Sequence, residues 1–170
     1  MSLVKSIGGK KVNFEFNKDF ISIFSDKIIS GDLRFINQTL KDLHPSDVAN
    51  LIEILSADTR AKLIEIEEFN IDPEIFIEIN ESIQSEVLQL LSPDSIAMIL
   101  KRLESDNSIA ILENLDSDKK NSVLDKLPPK DRFLLEEGLS YPEDSAARIM
   151  QREFTAVPSN WSIGQTIDYL

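Results

Sequence analysis

The sequence predicts an all-α protein, a superhelix (α-solenoid) of short helices with about twelve residues per unit. Two observations predict it: apolar residues recur at a fixed period, and the residues that open helices recur with them. Leu43, Leu55, Ile79, Leu91, Leu103, Leu115, Leu127 and Leu139 stand twelve residues apart or a multiple of it, with Glu67 the one interruption. Leu51, Leu63, Ile75, Val87, Ile99, Ile111, Val123 and Leu135 form a second column with no interruption. Ile52, Ile64, Phe76, Leu88, Leu100, Leu112 and Leu124 form a third, which ends at Glu136.

Within a unit the columns lie at i, i+1 and i+4, which is one stripe of an α-helix. The polar residues are periodic too. Asp58, Asp94, Asp106 and Asp118, with Ser46, Asn70 and Ser82 in other units, fall three residues after the first column. Short polar side chains there are expected to accept from the free N–H groups at a helix start. Acids at that end also suit the positive pole of the helix dipole. Pro45, Pro93 and Pro129 stand one residue earlier, and proline is tolerated in the first helical turn. Each unit therefore reads as a turn and a helix of roughly two turns. So short a helix is unstable alone. Stacking antiparallel neighbours covers its stripe, and two units make a hairpin of 24 residues, so the winding is tight.

The flanks differ. Residues 13–42 read as a capping hairpin, with Phe14, Phe16, Phe20, Ile21 and Phe24 on one helix, a turn at Gly31-Asp32, and Leu33, Phe35, Ile36 and Leu40 on the next. From Pro128 the repeat fades. Phe133, Leu134, Leu135 and Leu139 form an apolar stripe, expected to pack in the core and to be closed by Gly138. After Tyr141 the pattern changes: a strand is expected over 153–157, a turn at 158–160, and a helix from Trp161-Ser162-Ile163. Residues 1–140 are read as the superhelix and 141–170 as a linker and the beginning of a second, incomplete domain.

Composition narrows the function. Thirty acids against 18 basic residues give a net charge of −12. This argues against nucleic acid, whose binding is driven by Lys and Arg, and permits cations or basic proteins. The chain has no cysteine and therefore no disulfide or thiolate metal site. No apolar run is long enough to span a bilayer, and residues 1–12 lack the apolar region of a signal peptide. The single histidine, His44, precedes Pro45 and reads as a helix-start residue rather than a catalytic base. Gly8-Gly9 has no strand–helix context for a phosphate loop. No enzyme is expected, and no catalytic residue.

Leu43-His44-Pro45-Ser46-Asp47-Val48-Ala49 resembles the opening motif of the cytosolic N-domain of the MgtE magnesium channel and transporter family. Tyr141-Pro142-Glu143-Asp144-Ser145-Ala146-Ala147-Arg148-Ile149-Met150 resembles the segment joining that N-domain to the first CBS domain, except that the family usually has Gly where Ala147 stands. Glu153–Pro158 and Trp161–Thr166 resemble the first strand and helix of that CBS domain. The resemblance implies a right-handed helical superhelix on the cytoplasmic face of the cell membrane, in a homodimeric transporter whose pore lies outside this chain. It further implies sensing of cytosolic Mg²⁺, through ions that bridge acidic surfaces of the N-domain, the CBS domains and a connecting helix. Glu74 and Asp94 match acids at that interface, and they are the expected Mg²⁺ ligands. One turn after Asp94, where the family often has a further acid, this chain has Met98. The alternative reading is a metal-independent helical scaffold, as in the related fold of the flagellar rotor protein FliG.

Overall fold

A computed structural model describes residues 16–67, 72–152 and 155–169. The chain is helical over most of its described length, in the order α1 (Lys18–Ser30), α2 (Leu33–Lys41), α3 (Pro45–Ile54), α4 (Ala57–Glu67), α5 (Ile75–Glu78), α6 (Glu81–Leu90), α7 (Pro93–Leu100), α8 (Ser105–Glu113), α9 (Ser117–Leu124), α10 (Pro129–Ser140) and α11 (Ile163–Tyr169). Each repeat unit supplies one of the helices α3 to α10. The column from Leu51 to Leu135 is buried at every member, and the column from Ile52 to Leu124 likewise. Both belong to one apolar core that runs from Phe24 to Leu135.

The helices pack two units apart. α3 lies against α5, α4 against α6, α7 against α9 and α8 against α10. The structural repeat is therefore a hairpin of two units, and its polar contacts follow the same period. Arg60 Nη1 donates to Ile52 O at 2.8 Å, Gln84 Nε2 to Phe76 O at 2.6 Å, and Ser108 Oγ to Leu100 O at 3.1 Å. Each donor stands 24 residues after the last, and each bonds a carbonyl eight residues back. The carbonyls lie in the last turn of α3, α5 and α7, where no intrahelical partner remains. In the alternate units the same position holds Val48 and Ile96, which are buried, and Asp72 and Lys120, which are not.

The N-terminal hairpin folds as expected. Asn17 caps α1 through Phe20 N, Gly31 ends it with φ 71°, and Asp32 caps α2. That left-handed φ is where glycine costs least. Phe16, Phe20 and Phe24 stack with centroids 5.3 and 5.8 Å apart, and α1 packs on α2 and α4. Phe14 lies outside the described residues.

Several expectations are corrected. The capping slot is one residue after the first column, not three. His44 Nδ1, Ser56 Oγ, Asn80 Oδ1, Ser92 Oγ and Asp116 Oδ1 accept from the backbone N–H of Ser46, Thr59, Ser82, Ser95 and Lys119. Pro45, Pro93 and Pro129 are the first helical residues, which places the cap just before them. Asp58, Asp94, Asp106 and Asp118 sit inside the first turn, where they face the dipole rather than cap it. Asn70 lies outside the described residues. The break at Glu67 also has a physical form: α4 runs on through Glu67, and the helix of that unit, α5, shrinks to four residues.

Phe133 is 69 % exposed rather than packed. Ile109 holds the same unit position in α8 and is buried because α10 covers that side; among the described residues no further hairpin covers α10. Gly138 does not end α10, which continues to Ser140. Gly138 is buried, and a Cβ there would overlap Ile109 Cδ1 and stand 2.6 Å from Arg152 Nη1. The glycine is there for close approach. Of the expected strand, Glu153 and Phe154 lie outside the described residues, and Thr155–Val157 form no strand; a lone strand has no edge to pair with. The expected C-terminal helix is present as α11, with Trp161 edge-on to Tyr169 at 5.3 Å.

Candidate functional site

Asp94 is the second residue of α7, placed there by the Ser92 cap and by Pro93. Its carboxylate is 62 % exposed and pairs with Lys126 Nζ at 3.1 Å, just beyond the end of α9. The α7–α9 packing brings these two charges together. An exposed pair of this kind contributes about 0–1 kcal/mol. Glu74 precedes α5 as its cap residue, but its side chain makes no capping bond. Its backbone N–H donates instead to Asp72 Oδ1 at 3.1 Å, while Pro73 is buried beside it. Glu74 is exposed.

Asp94 and Glu74 thus open different helices. Among the described residues, no group of three or more His, Asp or Glu side chains is arranged to hold a metal ion. The donor type still suits Mg²⁺, a hard cation that keeps several waters and takes one or two carboxylates. Each of the two residues offers one carboxylate to solvent, so each fits as a partial, outer ligand and neither as a complete cage.

The basic residues are more structured than the acids. Arg60 is buried. It grips Glu86 of α6 through Nε at 2.9 Å and Nη2 at 3.1 Å, while Nη1 caps Ile52 O and Leu55 O of α3. Arg148 is 8 % exposed and repeats this arrangement. Its Nε donates to Glu113 Oε1 of α8 at 2.6 Å, and its Nη1 caps Gly138 O and Tyr141 O of α10 at 3.0 and 3.2 Å. In both cases the carbonyls belong to the residue that closes the helix and the residue three before it. Lys119 Nζ donates to Gln89 O of α6 at 2.9 Å. Burial lowers the Lys119 pKa, opposed by the charge of Asp116. These residues went unread in the sequence. Arg60 shares its place in the unit with the buried Val48, Ile96 and Ser108 but also with Asp72, Lys120 and Arg132, which are not buried, so the place alone does not find it; a charge that is buried needs a partner.

The fold and surface define a helical-repeat module that is acidic outside, apolar inside and tied at its helix ends by cationic side chains. The profile described as the MgtE intracellular N domain matches residues 43–144, and the chain belongs to that family. Two solved structures resemble it in fold. One is the crystal structure of the soluble part of a magnesium transporter (TM-score 0.67, 19 % identity, 87 % of this chain covered). The other is the crystal structure of the cytosolic domain of the Mg²⁺ channel MgtE in complex with ATP (TM-score 0.73, 24 % identity, 85 % of this chain covered). This chain spans 59 % of the length of each. No curated protein matches it. No described helix is long and apolar enough to cross a membrane.

Proposed function

We propose that this chain is the Mg²⁺-sensing regulatory domain of an MgtE-like magnesium transporter, standing at the cytoplasmic face of the membrane. The observation that carries the reading is the match of the MgtE intracellular N domain over residues 43–144, on a chain with a net charge of −12. In this reading residues 141–170 lead into a CBS domain. The partners are the CBS domains and connecting helix of the same transporter, in a homodimer. Mg²⁺ bridges the acidic faces and holds the assembly in its closed state. When Mg²⁺ falls, like charges repel and the superhelix separates.

The energetics call for several sites. A dissociation constant near 1 mM corresponds to about −4 kcal/mol. Moving a two-state population from 1:99 to 99:1 takes roughly 5.5 kcal/mol of differential binding. One exposed carboxylate cannot supply that, whereas many weak bridges together can. Glu74 and Asp94 are the proposed contributors from this chain.

Protease protection of the full-length protein against titrated Mg²⁺ tests this. Replacing Glu74 and Asp94 together by Ala raises the protection midpoint. Lys126→Gln removes the cation that competes for Asp94 and lowers the midpoint. An unchanged midpoint in both variants would remove these residues from the sensor and leave the role to other acids of the surface, whereas no Mg²⁺-dependent protection in the wild type would favour the metal-independent scaffold. The pairing of Asp94 with Lys126 is the observation on the side of that second reading.

A further inference from the structure

We propose that residues 141–152 are a fixed extension of the superhelix, latched by Arg148, and that whatever follows pivots C-terminal to Arg152 rather than at the end of α10. Three contacts, made by two residues of the segment, hold it. The first is Arg148. Its guanidinium is buried, bonds Glu113 of α8, and caps the last carbonyls of α10. Inside the superhelix Arg60 does the same at the end of α3, with Glu86 as its acid. The chain leaving α10 is thus secured by the device that secures an internal hairpin. The second is Arg152, whose backbone N–H donates to the buried Ser105 Oγ at 3.1 Å, 47 residues back at the start of α8. The third is Gly138, whose missing Cβ is the space that Arg152 Nη1 and Ile109 occupy.

Beyond Arg152 the character changes. Most of 141–151 is itself exposed, as are residues 155–160; what ends is the contact with the superhelix, since α11 has no buried residue and Ile163 and Ile167 face solvent. The described hydrogen bonds of 155–169 are local, such as Trp161 N to Pro158 O and Ser162 N to Gln165 Oε1. Rigid packing therefore stops near Arg152, about a dozen residues after the last superhelical turn. A buried charge leaving its partner is costly, so the latch resists opening at its own site and passes motion to the next weak point. This inference rests on contacts within the chain and is independent of any role for Mg²⁺.

Hydrogen exchange with mass spectrometry on the 170-residue chain tests it. In the wild type, the peptide spanning 141–150 exchanges at least about tenfold more slowly than that spanning 155–165. Arg148→Gln brings 141–150 to the fast rate while α8 keeps its own. Glu113→Gln leaves the helix caps in place and gives a smaller shift in the same direction, which separates undocking from loss of α10. Equal rates for the two peptides in the wild type would overturn the proposal, as would an unchanged 141–150 rate in both variants.

Discussion

Ile99→Ala is the sharpest probe of the repeat. Ile99 is 4 % exposed in the last turn of α7, in the column that is buried from Leu51 to Leu135. The substitution removes three carbons, worth about 2.4 kcal/mol at roughly 0.8 kcal/mol per buried methylene. The cavity left by partial relaxation adds to this. Alanine's better helix propensity returns roughly 0.4 kcal/mol. The expected loss is about 2–4 kcal/mol, against a total stability of about 5–15 kcal/mol for a domain. Met98, the neighbouring residue, is 43 % exposed, and Met98→Ala should stay within about 0.5 kcal/mol. Urea unfolding followed by circular dichroism reads both. With a slope of about 2 kcal/mol/M, Ile99→Ala lowers the midpoint by roughly 1–2 M without changing the slope. A loss below about 1 kcal/mol, or an equal loss from Met98→Ala, would refute the assignment of these columns to the core.

Two further outcomes follow from the polar contacts. Arg60→Met keeps the side chain's bulk but leaves Glu86 and the Ile52 and Leu55 carbonyls without their donor; thermal unfolding should show a loss of about 2–4 kcal/mol. Asp116 caps α9, and its pKa is lowered mainly by the hydrogen bond from Lys119 N. A depressed carboxylate contributes stability that is present above its unfolded pKa and is lost as pH falls through its folded pKa. Asp116→Asn should therefore flatten the stability loss below about pH 4, seen as a smaller fall in urea midpoint between neutral and acid pH than in the wild type.

The fold was legible because helix stripes are written in residue type. An uninterrupted column from Leu51 to Leu135 has no reading other than burial, and every member is buried. What sequence could not separate was position within the first turn. Ser46, Asp58 and Asp94 are good capping residues by type, yet His44, Ser56 and Ser92, two residues earlier, carry the bonds. Type alone does not distinguish a cap from the second helical residue; the signal that does is the proline, since Pro45, Pro93 and Pro129 each mark the first. Phe133 failed for a different reason. Its stripe is apolar, but burial depends on a neighbouring hairpin, and α10 has none on that side among the described residues. Gly138 was misread because glycine ends helices and also permits close approach, and its role is set by Ile109, 29 positions away in the chain. The buried arginines were hidden because charge is ordinarily a surface signal, and the 24-residue spacing that Arg60 shares with Gln84 and Ser108 appears only when alternate units are compared.

The acids pose the reverse problem: the fold already accounts for many of them. Asp47, Asp58, Asp94, Asp106, Asp118 and Asp131 each sit in the first turn of a helix, where a negative charge contributes about 0.3–1 kcal/mol against the dipole. The same location makes a poor cation site by itself. A Mg²⁺ ion at Asp94 meets the positive end of α7, and Lys126 already stands 3.1 Å from its carboxylate. Both oppose it. The ion gains enough only when a second surface brings further carboxylates and the lysine is displaced into water. Binding and docking are then one event, since each acid is a weak ligand until the partner surface completes the shell. On the proposed function, the chain alone should respond little to Mg²⁺ and the assembled transporter strongly, which is the behaviour a sensor of an abundant cation requires.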